Sequence, residues 1–132
     1  MPAVRLKRAY DEPADGDGYR ILVDRLWPRG VKKTDLKLDA WAKDLAPSSQ
    51  LRTWFGHDPE KWAEFRRRYR TELARDGVDG RIAELLDAAR PNRIVTLIYG
   101  ARDRERNEAV VLKDAFERVA EGRRVGRKAA RR

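Results

Sequence analysis

Charged and aromatic side chains follow two apolar segments of this chain, at the point where each segment ends. The run Ile21-Leu22-Val23 leads into DRLWPRG at residues 24–30, and TLIY at residues 96–99 leads into GARDRERN. Guanidinium groups match the geometry of phosphate and carboxylate, tryptophan stacks on planar groups, and a carboxylate can exchange a proton. These residue types together predict a binding site for an anionic ligand.

The apolar segments that carry these residues are predicted strands. Residues 19–23 and 93–99 are nearly continuous in apolar character, which is typical of buried parallel strands, whereas residues 4–8 alternate between apolar and basic. Helical patterns lie between and after the strands. We therefore predict an α/β fold with a small, mostly parallel sheet of three to four strands, covered by helices, in a single compact domain over residues 1–121.

Helical periodicity and capping residues predict five helices. The clearest begins at Asp58, a good N-cap residue followed by Pro59 at the first helical position. Leu38, Trp41 and Leu45 have the spacing of a short amphipathic helix that stops before a proline. The other helices are expected to begin at Ser48 or Ser49, at Asp79, and near Glu105, the last running to Glu121 with Gly122 as its stop.

Ligands of open α/β sheets bind outside the carboxyl ends of the strands, so the two polar clusters would face one cleft if their strands are neighbours. Arg25, Arg29 and Arg102 would hold the anion there. Asp24 is a tentative catalytic residue that would orient an arginine or accept a ligand proton, and Trp27 would stack on the ligand or wall the site. The remaining candidate ligand-binding residues are Lys43, Tyr99 and Asn107.

Each of these candidates also has a purely structural interpretation. Asp24 and Arg25 have the chemistry to form an ion pair that ends the strand, and Trp27 has the size of a core residue. His57 precedes the N-cap Asp58 and is expected to order that turn. Arg52 flanks the 45–51 connection and is a weaker candidate for the cleft.

Composition excludes several kinds of site. The chain has no cysteine and one histidine, so neither disulfides nor thiol nucleophiles nor a multi-histidine metal centre can form within it. No glycine-rich cofactor loop, Walker loop or nucleophile elbow is present. We therefore predict no metal and no cofactor, and the sequence leaves open whether the protein is an enzyme. Without a signal peptide or a long apolar run, it is predicted to be cytoplasmic and not membrane-bound.

Positive charge is concentrated at the carboxyl terminus. Residues 122–132 carry six of the nine net positive charges, leaving +3 for residues 1–121. This basic tail is predicted to be disordered, and it supports an alternative function in sequence-independent nucleic-acid binding. Its cations are Arg123, Arg124, Arg127, Lys128, Arg131 and Arg132. A solubilising extension, or an interaction module without a ligand of its own, are the other interpretations, and the oligomeric state is not predicted.

The order of several short motifs resembles the YeaO-like family, which is classified as domain of unknown function 488. The motifs are KRAYD, DGYRILVDRLWPRGVKK, WAKDLAPS, LRTWF, and TLIYGARD followed by N-x-A-x-V-L, and they cover about residues 4–120. The resemblance implies a small cytoplasmic α/β protein and implies no particular activity. It places Asp24 to Gly30 (except Leu26), Lys43, Pro47, Ser48, Tyr99 and Asn107 at motif positions.

The chain departs from the family pattern at one position. Many relatives have a histidine immediately before the asparagine of the last motif, where this chain has Arg106. A general base at that position would be lost, whereas a positive charge for an anion is kept. The departure favours anion binding over acid–base catalysis at this residue.

Overall fold

A four-stranded, entirely parallel sheet forms the centre of the molecule in a computed structural model. The structure describes the backbone of residues 2–130 and the side chains of residues 2–123. In chain order the strands are β1 (Ala3–Arg8), β2 (Tyr19–Leu22), β3 (Ala40–Trp41) and β4 (Ile94–Tyr99). Their order across the sheet is β1-β4-β2-β3. The predicted α/β class and strand number are confirmed.

The register of the strands brings the two polar clusters together. β4 pairs with β2 from Tyr19 opposite Val95 to Leu22 opposite Ile98, and it pairs with β1 along its whole length. The carboxyl ends of β2 and β4 are therefore neighbours. Because a break in chain order across a parallel sheet opens a crevice at that edge, this is where a ligand site is expected.

Five α-helices accompany the sheet: α1 (Lys33–Leu36), α2 (Ser49–Phe55), α3 (Trp62–Leu73), α4 (Val78–Ala88) and α5 (Glu108–Ala130). Ser48 caps α2 through its Oγ, which accepts the Leu51 N–H at 3.1 Å. Asp58 caps a 3₁₀ turn that leads directly into α3. Both predicted caps are confirmed, because an oxygen side chain at these positions satisfies an otherwise unpaired backbone donor.

One face of the sheet packs against the helices and holds the main core. Ile21, Val23 and Leu97 project from the strands into a cluster that includes Phe65 of α3 and Phe116 of α5. Phe55, Phe65 and Trp62 stack within it, with ring centroids 4.2–6.0 Å apart. These aromatic side chains of α2 and α3 thus belong to the core.

The other face of the sheet is covered by loops and by the short helix α1. Leu22 and Ile98 pack there with Leu36, and Trp27 and Trp41 close the edge with ring centroids 5.5 Å apart. The rest of this face is polar: Asp17, which is 9% exposed, contacts the Lys7 ammonium and the Arg20 guanidinium at 3.0 and 2.5 Å.

Two helix predictions are wrong. Residues 38–45 do not form an α-helix, since Lys37 adopts a left-handed φ of 50° and Ala40–Trp41 join β2 as β3, and only Lys43–Leu45 form a short 3₁₀ turn. Backbone pairing with a neighbouring strand outweighs the apolar spacing there. Gly122 does not end the last helix, which continues to Ala130. The division at residue 121 into a domain and a disordered tail stays a prediction.

Within the described part of the chain, none of the helices combines the length and the apolar character that crossing a bilayer requires.

Candidate functional site

A cavity of about 240 Å³ opens at the carboxyl edge of the sheet, between the ends of β2 and β4 and the segment around α2. Its polar lining combines two acids with three basic side chains. Its apolar lining is largely aromatic. The polar residues are Asp24, Arg25, Arg52, His57 and Glu108, and the aromatic residues are Tyr10, Trp27, Phe55 and Phe65.

Asp24 is held in the cavity by the backbone of the neighbouring strand. Its Oδ2 accepts the Gly100 N–H at 2.8 Å, just beyond the end of β4. A Cβ at position 100 would lie 3.0 Å from that oxygen, so glycine permits this close approach. The Trp41 indole N–H donates to the Asp24 carbonyl at 2.7 Å. These contacts fix the carboxylate at the junction of β2 and β4.

Glu108 brings a second carboxyl group onto Asp24. It is the first residue of α5, a helix capped by Asn107, whose Oδ1 accepts the Val110 N–H at 3.2 Å. Burial, followed by the hydrogen bond and negative charge of Asp24, raises the pKa of Glu108 well above its ordinary value. A carboxyl group whose pKa is raised keeps its proton to a higher pH than an ordinary glutamate, and in that form it can donate a hydrogen bond as well as accept one.

Neither Asp24 nor Glu108 forms an ion pair within residues 2–123. Oδ1 of Asp24 is buried and has no hydrogen-bond partner in the described residues. No group of three or more acidic or histidine side chains converges anywhere in residues 2–123, so the pair lacks a third protein ligand for a metal ion. The two carboxyl groups therefore line the cavity without a cationic partner from the fold.

A layer of buried polar groups supports the floor of the cavity. The Tyr69 hydroxyl donates to the Leu45 carbonyl at 2.5 Å, and burial together with the charges of Glu108, Glu72 and Asp24 raises its pKa well above the ordinary value. Glu72 accepts hydrogen bonds from the Ser48 N–H and Oγ at 2.8 and 2.6 Å. These bonds tie the start of α2 to α3 and so position the side chains that α2 contributes.

The basic residues of the cavity make few contacts of their own. Arg25 donates from Nη2 to the Pro47 carbonyl at 3.3 Å, and its Nε is buried with no hydrogen-bond partner in the described residues. Arg52 lies exposed on α2. His57 follows Gly56 in a left-handed turn, and its ring lies 6.1 Å from that of Phe55.

The structure brings together three of the predicted site residues, Asp24, Arg25 and Trp27, in this cavity. Asp24 and Arg25 do not pair with each other, because Asp24 accepts from Gly100 and Arg25 donates to Pro47. Trp27 is both a packing residue and part of the cavity lining. Its indole N–H donates to the Val31 carbonyl at 2.7 Å, and its ring packs on Trp41.

Five predicted ligand-binding residues do not line the cavity: Arg29, Lys43, Tyr99, Arg102 and Asn107. Arg29 and Arg102 are exposed outside it. Lys43 sits over the Trp41 ring at 4.8 Å. Tyr99 is 2% exposed within the main core, where burial raises its pKa. Asn107 caps α5. Their roles in ligand binding stay predictions, and their observed contacts are structural.

Glu108 is the residue that sequence reasoning missed. A glutamate at the start of a helix normally indicates only a favourable interaction with the helix dipole. Nothing in the spacing between β2 and α5 indicates that Asp24 and Glu108 meet. The single signal was its place directly after the polar segment that follows β4.

Of the basic tail residues in the nucleic-acid hypothesis, only Arg123 has a side chain that the structure describes. Its guanidinium donates to the Ala83 carbonyl at 3.0 Å and to the Asp87 carboxylate, both on α4. The other five cations, Arg124, Arg127, Lys128, Arg131 and Arg132, lie outside the described side chains.

Comparison with known proteins supports the family resemblance that the motifs indicate. A family model described as the inactive DUF488-N3 subclade matches residues 3–131. The chain belongs to this DUF488 family. The uncharacterized protein YeaO of Escherichia coli (strain K12) is 47% identical over 111 residues, covering 84% of this chain and 94% of its own. An uncharacterized protein of Mycobacterium tuberculosis is 38% identical over 109 residues, covering 83% of this chain and 89% of its own.

No significant match to a solved structure was found for this DUF488 chain. The YeaO-like assignment made from DRLWPRG and the other motifs is confirmed. Asp24 and Arg25 of the DRLWPRG motif contribute an acidic and a basic side chain to the cavity lining.

Proposed function

We propose that this DUF488 protein binds a small phosphorylated, nucleotide-like ligand in the cavity at the carboxyl ends of β2 and β4. Arg25 and Arg52 hold the anionic group, and Trp27 and the other aromatic side chains contact the rest of the ligand. The description of the matching subclade as inactive supports binding rather than catalysis. A cytoplasmic location is part of the same proposal.

The observation that carries the proposal is the absence of acidic partners for the cavity arginines. Within residues 2–123, neither Arg25 nor Arg52 forms an ion pair, although both line a cavity that contains two acids. Elsewhere on the molecule Arg20, Arg81, Arg104 and Arg118 contact carboxylates at 2.5–3.0 Å. Guanidinium groups without a carboxylate partner in a concave site favour an external anion.

The charge balance of the cavity points the same way. The raised pKa of Glu108 favours its protonated form, which leaves the Asp24–Glu108 pair with one negative charge, whereas the two guanidinium groups carry two positive charges. The acids and arginines of the lining then sum to one positive unit. A phosphate group near the arginines would be attracted.

The alternative function, nucleic-acid binding through the basic tail, stays a prediction. Arg123, the tail cation whose side chain is described, is engaged by α4. The proposal for the cavity does not depend on the tail.

Ligand binding is tested by NMR titration and thermal shift at low salt, with inorganic phosphate and phosphorylated metabolites as ligands. Arg52→Gln removes an exposed cavity guanidinium, so we expect it to fold normally and to lose about tenfold or more in affinity. Arg66→Gln is the matched control, since Arg66 of α3 is exposed outside the cavity and we expect no change. Equal losses in both variants, or no binding by the wild type, would exclude the proposal.

A further inference from the structure

The floor of the cavity has a chemistry that an anion alone does not satisfy. Asp24 and Glu108 line the cavity together, and a phosphate oxygen placed beside their carboxyl oxygens would be repelled. A hydroxyl group is complementary, because it donates to the carboxylate and accepts from the carboxylic acid. A ligand with its phosphate at the arginines therefore fits best with an uncharged, hydroxylated part on the floor.

The contacts already made by Asp24 leave hydrogen-bonding capacity for such a group. Oδ2 of Asp24 accepts the Gly100 N–H, and Oδ1 is buried without a hydrogen-bond partner in the described residues. A carboxylate has about four lone-pair sites, so one accepted bond does not exhaust its capacity to accept hydrogen bonds. Glu108 also lines the cavity and adds a second carboxyl group. The floor can thus engage more than one hydroxyl group.

Cavity size and wall chemistry restrict the ligand further. A volume of about 240 Å³ lies below the roughly 300–1,000 Å³ of pockets for drug-sized ligands, so it suits a sugar phosphate better than a dinucleotide. Tyr10 and Leu26 stand at the lining with 49% and 59% of their surface exposed. Apolar side chains at this position can pack against the C–H face of a sugar ring or against an attached base.

From these observations we infer that the cavity selects phosphate esters that carry neighbouring hydroxyl groups, of the size of a sugar phosphate or the ribose phosphate part of a nucleotide. The arginines bind the phosphate, as the proposed function requires, and the inference rests on that function. Asp24 and Glu108 bind the hydroxyl groups and so determine specificity. Phosphate esters without hydroxyl groups bind weakly by comparison.

The test compares two phosphate esters of nearly equal size, glycerol 3-phosphate and n-propyl phosphate, with ribose 5-phosphate as a larger probe. Affinities for the wild-type protein are measured by NMR titration at low salt. We expect both hydroxylated esters to bind at least about tenfold more tightly than propyl phosphate, since one well-made hydrogen bond to a charged group accounts for about a tenfold change in affinity. Equal affinities for the three esters would overturn the inference while leaving the proposed function intact. Absence of any binding would instead reject the proposed function.

Two substitutions at Glu108 assign the preference to the carboxyl pair. Glu108→Gln keeps a donor and an acceptor, so the preference for hydroxylated esters is expected to persist. Glu108→Leu removes both, so the preference is expected to fall to about onefold while propyl phosphate still binds. A preference that survives Glu108→Leu would overturn the inference. If that variant does not fold, the comparison of the esters on the wild-type protein still decides it.

Discussion

Two acidic clusters beside the sheet show opposite electrostatics. On the loop-covered face of the sheet, Asp17 accepts hydrogen bonds from the Ala14 N–H at 2.9 Å, the Lys7 ammonium at 3.0 Å and the Arg20 guanidinium at 2.5 Å. At the carboxyl edge, Asp24 meets another carboxyl group, that of Glu108. The first cluster is completed by cations of the fold, and the second is not.

The pKa values express this difference. Burial alone would raise the pKa of Asp17, but the hydrogen bonds from Ala14, Lys7 and Arg20 together hold it below its ordinary value. Burial also raises the pKa of Glu108, and Asp24 raises it further. The comparison teaches that burial does not decide the charge state of an acid: its neighbours do. An acid surrounded by internal cations is favoured in its charged form, whereas an acid beside another acid is favoured in its protonated form.

The largest expected effect comes from breaking the Asp17 cluster. Asp17→Ala leaves the guanidinium of Arg20, a residue that is 4% exposed, without its carboxylate, although the Leu36 carbonyl still accepts from it at 2.9 Å. Removing one partner of a buried ion pair costs about 3–5 kcal/mol, so we expect a loss of that order in the free energy of unfolding measured with urea.

The matched control for this change is Asp79→Ala. Asp79 pairs with Arg118 at 3.0 Å, but both side chains are 59% exposed, and such pairs contribute about 1 kcal/mol or less. If Asp17→Ala lowers the free energy of unfolding no more than Asp79→Ala does, the Asp17 cluster does not stabilise the fold as proposed.

A smaller effect is expected in the pH dependence of stability, which has opposite signs for the two clusters. The lowered pKa of Asp17 means that its stabilisation is present above the ordinary aspartate pKa and is lost as the pH falls through the folded value. The raised pKa of Glu108 has the opposite consequence: its stabilisation is present below the ordinary glutamate pKa, about 4.3, and is lost as the pH rises towards the folded value. Tyr69, whose own pKa is raised, stays neutral in this range.

Urea unfolding as a function of pH tests these signs. Glu108→Gln replaces the titrating carboxyl by a neutral amide, so its stability relative to the wild type is expected to increase as the pH rises above about 4.3. Asp17→Asn is expected to lose less stability than the wild type on acidification. If the stabilities of the wild type and of Glu108→Gln change in parallel between about pH 4 and 9, the pKa of Glu108 is not raised.

The smallest expected effect sharpens the comparison by disturbing the Asp24 cluster alone. Gly100→Ala places a Cβ 3.0 Å from Asp24 Oδ2, so the carboxylate must shift, at a cost of about 1–2 kcal/mol. We expect a several-fold loss of glycerol 3-phosphate affinity with little change for propyl phosphate. Gly80→Ala in α4 is the control, because nothing lies within 4 Å of the added Cβ and a helical alanine stabilises by up to about 1 kcal/mol. Equal effects of the two alanines on ligand preference would contradict the role given to Asp24.

Local patterns predicted much of the fold because they report local physics. Asp58 and Pro59 indicated the entrance to α3, and the apolar runs at residues 19–23 and 93–99 indicated β2 and β4. The prediction failed at Ala40–Trp41, where pairing with Ile21 and Leu22 decides the conformation. It also failed at Gly122, where the helical backbone continues. In both places the apolar spacing or residue type suits more than one conformation.

For the candidate site, the sequence by itself determined which segments carry the chemistry: an acid and arginines directly after a buried strand. Strand ends and turn residues are local features, so their place at the carboxyl edge followed from the fold class. Only the tertiary structure decided that Asp24 faces Glu108, that Arg52 of α2 joins Arg25, and that Arg29 and Arg102 remain outside the cavity. These relations depend on β4 lying next to β2 and on how α2 and α5 pack. Contacts between residues distant in the chain leave no periodic pattern in the sequence, so the sequence alone does not predict them.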